Sequence, residues 1–200
     1  RSVSELVISI AVAMLRHIPT AHKELQGGIW KQHMGSLLSG RTVGIIGCGF
    51  IGKDLVQLLQ PWDCTILVND ILDFPDFYTR HGVIPVGLEE LLQRSDIVTL
   101  HVPLDDSTRN ILSAERLGLM KQTAVLINIA RGGLVDEKVL KMMLMEKHLA
   151  AAAFDVFMTE PPDDTELLAL PNFLATPHIG GSAEEVILAM LSRVFFISEN

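Results

Sequence analysis

"VGIIGCGFIG", Val43 to Gly52, joins a short apolar run to a glycine-rich turn. Thr42 to Ile46 reads as a strand buried on both faces of a sheet, since no charge interrupts it. Gly47, Gly49 and Gly52 follow at G-x-G-x-x-G spacing, and each has its own task. Gly47 permits the sharp turn out of the strand, Gly49 lets a pyrophosphate approach the backbone, and Gly52 lets the next helix close on the strand. That helix continues through Leu55, Leu58 and Leu59, so the amides of Phe50 and Ile51 stand at its N-terminus and face an anion. Such glycines can also serve a mere turn. Asp70 favours the dinucleotide reading, because it ends the next apolar run, "TILVN", eighteen residues after Gly52, where a carboxylate accepts from a ribose. A 2'-phosphate would meet it as a like charge, at roughly 1 to 4 kcal/mol at contact distance, so NAD is expected over NADP.

Outward from this unit, strand-like and helix-like stretches alternate. "VIPV" reads as a short strand, "LEELLQ" as a helix and "DIVTLHVP" as a strand closed by Pro103. Ser113 is placed to cap a helix to Met120, "AVLINIA" is a strand, Asp136 caps a helix through Leu144, and "AAAFDV" and "FLAT" are strands. "DFPDFY" reads as loop, and the Ser182 and Glu185 box starts a closing helix. Upstream, a Ser2 and Glu5 capping box opens a helix through Leu6, Val7, Ile10 and Met14 to about His17, ending before Pro19. Residues 20 to 40 read as an irregular arm. The expected fold is α/β: a doubly wound parallel sheet of the Rossmann dinucleotide-binding type, spanning residues 1 to 200. The first helix and Trp30 have no evident core of their own, so residues 1 to 40 are expected to build a homodimer.

Bulk composition excludes several other classes. The 200 residues are 48% hydrophobic and 20% charged, within the globular range. A net charge of -8, without a basic run, argues against nucleic-acid or anionic-membrane partners. No apolar stretch reaches membrane-span length before a charge interrupts it, and no signal-like series opens the chain. Two cysteines, Cys48 and Cys64, without ligand-like spacing, argue against a structural metal site or a disulfide scaffold and suit the cytoplasm. Opening on "RSVSE" without an initiator methionine, the chain is expected to be a segment of a longer protein.

Three side chains stand just past strand ends or in loops at one end of the sheet: Arg131 in "INIARGGLVDE", Glu160 in "DVFMTEPP" and His178 in "TPHIGG". Each has an ordinary structural reading. Together they form a chemical set. Oxidising an alcohol with a nicotinamide needs a proton acceptor active near neutral pH, which histidine supplies, and a carboxylate to orient it. An acid substrate also needs a cation, and arginine binds a carboxylate through two parallel hydrogen bonds.

"VGIIGCGFIG", "SDIVTLHVPLDDSTRNIL", "LMKQTAVLINIARGGLVDE", "AAAFDVFMTEPP" and "TPHIGG", in this order, resemble the cofactor domain of the D-isomer-specific 2-hydroxyacid dehydrogenases, in particular their phosphoglycerate dehydrogenase-like branch. The likeness runs from the first helix to about Met190. The resemblance implies that Arg131 binds the substrate carboxylate, His178 is the general acid/base, and Glu160 pairs with His178. It implies that Phe50 and Ile51 contact phosphate, Asp70 the adenosine ribose, and Val102, Pro103 and Thr108 the cofactor's flank. Ile129 and Ala130 would lie near the nicotinamide ribose, Asp155 would take the carboxamide, and Gly180 and Gly181 would border the ring. The implied substrate is a small 2-hydroxy or 2-keto acid, 3-phosphoglycerate-like in that branch. The family's substrate-binding segments are absent here, and "LSRVFFISEN" lacks the small-residue-rich continuation expected of the helix that returns to them. A non-catalytic NAD-sensing or corepressor-like module is the competing reading.

Overall fold

A computed structural model describes residues 1–186 and 188. Seven strands, β1 (Thr42–Ile46), β2 (Thr65–Asn69), β3 (Ile84–Pro85), β4 (Ile97–Leu100), β5 (Val125–Asn128), β6 (Ala151–Phe154) and β7 (Phe173–Ala175), form one sheet. Every pairing is parallel, in the order β3-β2-β1-β4-β5-β6-β7. Because the chain runs outward from β1 to β3 and then returns to β4 on the other side, the order reverses between β1 and β4. Loops diverge there to opposite faces and leave a crevice at the strands' carboxyl ends.

Among the described residues eight α-helices cover the sheet: α1 (Ser2–Leu15), α2 (Ile18–Gln26), α3 (Phe50–Leu59), α4 (Pro75–His81), α5 (Leu88–Arg94), α6 (Ala114–Leu117), α7 (Glu137–Met145) and α8 (Thr165–Ala169). One face packs Leu91, Leu92, Leu117, Leu140 and Leu167 against Leu100, Leu126 and Phe154. The other packs Leu55, Val56 and Leu59 of α3, and α1, against Val43, Ile45, Val125 and Ile127. Apolar layers on both faces explain why the strands read as continuous apolar runs.

Several expectations are corrected. Arg1, not Ser2, is the N-cap of α1; its carbonyl accepts from the Glu5 amide, and no side chain caps the helix, so the Ser2 and Glu5 box does not form. Ser2 already lies within the helix. Proline opens helices here where a stop or a loop is expected: Pro19 stands in the first turn of α2, which takes up the start of the expected arm, and Pro75 begins α4 within "DFPDFY". Its missing N–H costs nothing in a first turn, where amides have no helical partner. Helix α8, unpredicted, is capped by Asp164 on the Leu167 amide. Helix α1 also has a core to fill. Val7, Ile10, Ala11 and Met14 are buried on its own sheet, each larger side chain contributing about 2 kcal/mol, so this face is not free for a partner. The closing helix expected after Ser182 and the ending "LSRVFFISEN" fall largely or wholly outside the described residues.

Candidate active site

The glycine-rich turn has the geometry that its spacing requires. Gly47 adopts φ +100°, and a Cβ there would lie 2.7 Å from the His101 carbonyl oxygen of the neighbouring strand end. At Gly52 a Cβ would fall 2.2 Å from the Gly47 oxygen, so only glycine lets α3 approach β1 this closely. At Gly49 none of the described residues lies within 4 Å of that position, which leaves the approach open to a pyrophosphate. Gly49 is the N-cap of α3, and Phe50 and Ile51 follow it with exposed side chains. Asp70 stands one residue past β2 and reaches back to the turn. Its Oδ2 accepts from the Cys48 amide and its Oδ1 from the Leu72 amide at 2.8 Å, leaving acceptor capacity on both oxygens for ribose hydroxyls. These residues fit a dinucleotide.

A cleft of about 410 Å³ opens at the switch point. It is lined by the expected Ile51, Val102, Pro103, Ile129, Ala130, Arg131, Asp155, His178, Gly180 and Gly181, together with Val3 and His101, which the sequence reading did not single out. Thr108 is not among the lining residues. It closes its own turn, donating to the Pro103 carbonyl at 2.7 Å and accepting from the Asp105 amide at 2.8 Å.

Two buried polar residues at strand ends shape the loops. Asn128, fully buried at the end of β5, accepts from the Ala130 amide at 3.1 Å and donates to the Arg131 carbonyl at 2.9 Å. This fold-back holds Arg131 at the cleft, exposed, with its guanidinium donating to the Ala130 carbonyl at 2.6 Å. Asp155, just past β6, accepts from the Thr176 hydroxyl at 2.5 Å and from the amides of Ile179 and Gly180, both at 2.8 Å. Its backbone carbonyl takes the His178 amide at 2.9 Å. Asp155 therefore braces the loop that carries His178. That loop holds His178 at φ +55°, a conformation that costs a non-glycine residue about 1 to 3 kcal/mol unless its surroundings impose it. Both braces follow one rule: a buried polar group needs partners, and here they are loop amides.

His178 Nδ1 lies 2.9 Å from Glu160 Oε2, which leaves Nε2 free to act as the proton acceptor. Glu160 also accepts from the Phe157 amide at 3.1 Å. The His178 bond first, then that amide and the charges of His178 and Arg131, hold the Glu160 carboxyl below the usual glutamate range. His101 differs. Burial pushes its imidazole down to about 4, Nε2 lies 3.0 Å from the Thr99 hydroxyl, and Nδ1 has no partner among the described residues. Among the described residues no His, Cys, Asp and Glu cluster is arranged to hold a metal ion.

A glycine-rich turn at a switch point, a carboxylate at the end of the second strand and a histidine–carboxylate pair beside an arginine define a dinucleotide-binding domain equipped for redox chemistry. The chain belongs to the D-isomer specific 2-hydroxyacid dehydrogenases, whose NAD binding domain matches residues 8–180. It is 43% identical over 187 residues to the D-3-phosphoglycerate dehydrogenase of Methanocaldococcus jannaschii, which covers 92% of this chain and 36% of that protein. It is 38% identical over 207 residues to the hydroxypyruvate reductase of Thermotoga maritima, covering 97% and 65%. Among solved structures, D-lactate dehydrogenase with NAD+ from Lactobacillus jensenii superposes with a TM-score of 0.88 at 27% identity, covering 96% of this chain and 62% of that one. The chain thus spans about a third of the archaeal phosphoglycerate dehydrogenase. NAD is the cofactor of this domain.

Proposed function

We propose that this chain is the NAD-binding domain of a cytoplasmic enzyme that transfers hydride between nicotinamide and a D-2-hydroxy or 2-keto acid, with 3-phosphoglycerate-like acids the first candidates. The observation that carries the reading is the convergence of Arg131 and the His178–Glu160 pair on one cleft beside the glycine-rich turn. The relatives named above support the substrate class. NAD supplies the hydride acceptor when bound. Gly47, Gly49, Gly52 and the amides of Phe50 and Ile51 take its phosphates, and Asp70 its adenosine ribose. Val102, Pro103 and Thr108 lie along its flank; Ile129, Ala130, Asp155, Gly180 and Gly181 surround its nicotinamide end. Arg131 holds the substrate carboxylate through paired hydrogen bonds and so orients the hydroxyl-bearing carbon. His178 Nε2 takes the hydroxyl proton, and Glu160 stabilises the imidazolium that forms.

The facing wall of the cleft belongs, in this reading, to a substrate-binding domain elsewhere in a longer protein. The isolated 200 residues are then expected to bind NAD and turn over little or not at all, since misplacing reactants by about 1 Å can cost on the order of a hundredfold. The protein pairs as a homodimer through its arm. With α1 packed on its own sheet, the support lies in the side chains beyond it, where Ile29, Trp30, Met34 and Leu37 are all exposed, Trp30 by 84%. The relatives named above lend no support to a sensing module. A panel of D-2-hydroxy acids, assayed for NADH production with the full-length protein, tests the reading. Activity with at least one supports it; NAD binding without turnover of any would overturn it.

A further inference from the structure

Glu137, the first residue of α7, lies well away in sequence from the Glu160 loop but is bonded to it. Its Oε1 accepts from the Met158 amide at 2.9 Å. The neighbouring Phe157 amide donates to Glu160 Oε1. The peptide unit between Phe157 and Met158 is gripped from a second side by Gly132, beside Arg131: a Cβ there would lie 1.9 Å from the Phe157 oxygen and 2.5 Å from the Met158 nitrogen. One peptide unit thus joins the loop that carries the substrate-binding cation to the loop that carries the histidine's carboxylate partner.

We infer that Glu137 is a positioning residue for the His178–Glu160 pair, acting through the Phe157–Met158 peptide; the inference rests on the reading of that pair as the proton-transfer machinery. Glu137 does not line the cleft, so it acts on the pair without touching substrate. Its setting argues that the bond to Met158, rather than a net charge, is what the carboxylate provides. Burial first, then the negative charges of Asp164, Asp163 and Asp136, raise its pKa, while the Met158 amide works against them. Lys141, one turn along α7, is engaged with Asp164 at 2.7 Å and Glu166 at 3.1 Å. A neutral acceptor of the same shape should therefore hold the Met158 amide as well.

The test is the titration of the Glu160 carboxyl by carbon NMR in this chain with Glu137→Ala, Glu137→Asp and Glu137→Gln. The midpoint is read on the folded-state resonance, in slow exchange with the unfolded chain, so partial unfolding does not mimic the effect. Where alanine prevents folding altogether, the shorter aspartate replaces it, since it falls a methylene short of Met158. Groups facing Glu160 are His178 and Arg131, unchanged in all three variants. Alanine and aspartate are expected to let the Glu160 midpoint rise toward the ordinary glutamate value, and glutamine to restore it. In the full-length enzyme Glu137→Ala should lower kcat by about tenfold to a hundredfold, with the NAD dissociation constant unmoved. An unmoved Glu160 midpoint in the alanine and aspartate variants, or an equal rise with glutamine, would overturn the inference. A His178→Ala variant that left the Glu160 midpoint in place would instead remove the pair itself, and with it the proposed function.

Discussion

His178 Nδ1 and Glu160 Oε2 meet at 2.9 Å although 18 residues separate them, because the loops that follow β6 and β7 leave adjacent parallel strands at the same edge. The sheet topology thus assembles the pair. Glu160→Gln would keep a hydrogen-bonding shape beside Nδ1 but remove the charge that stabilises an imidazolium. It is expected to lower kcat of the full-length enzyme by about tenfold or more, with little change in NAD affinity. Steady-state kinetics beside calorimetric NAD binding checks both halves.

Asp70 braces the turn and, in the proposed reading, also meets the ribose. NAD should bind this chain at least about tenfold more tightly than NADP, from the like-charge cost at a 2'-phosphate. Asp70→Ala should narrow that gap and also weaken NAD itself, since the Cys48 amide loses its acceptor. Equal dissociation constants for the two cofactors by calorimetry would contradict the assignment.

His101 predicts a pH effect on stability. Its folded pKa is depressed to about 4 from 6.5, so between these values the unfolded chain binds the extra proton and stability falls as pH drops. The full effect, reached near the lower value, is about 3 kcal/mol. Urea unfolding at about neutral pH and at about pH 5 should show a loss of stability on acidification, and His101→Leu should remove part of that slope. A slope unaltered by the substitution would contradict a buried neutral imidazole.

The parts of the fold that the sequence displays are those set by local chemistry. Continuous apolar runs marked β1, β2, β4, β5, β6 and β7, and side-chain caps at Ser113 and Asp136 began α6 and α7 as read. Pro19 and Pro75 were misread because proline stops a helix from within yet fits its first turn, and only the tertiary placement tells the two apart. Arg131, Glu160 and His178 were legible as a chemical set. Asn128 was visible only as a polar break in an apolar run, and the work of Asp155 as a brace depends on amides more than twenty residues away. Glu137 gave no signal at all, because its partner, the Met158 amide, is a backbone group from another loop.

The arm predicts assembly. Ile29, Trp30, Met34 and Leu37 present apolar surface that the described residues leave uncovered. The protein is expected to sediment as a dimer at micromolar concentration, and Trp30→Glu to shift it toward monomer. A wild-type protein that sediments as a monomer would contradict the assignment.

The central claim is that the cleft transfers hydride with His178 as its acid/base. The most direct measurement is NADH formation by the full-length protein with matched D- and L-2-hydroxy acids, beside its His178→Ala variant. The account predicts turnover of a D-isomer and loss of that turnover in the variant, with NAD affinity kept within a few fold. Undiminished turnover by the His178→Ala enzyme would contradict it.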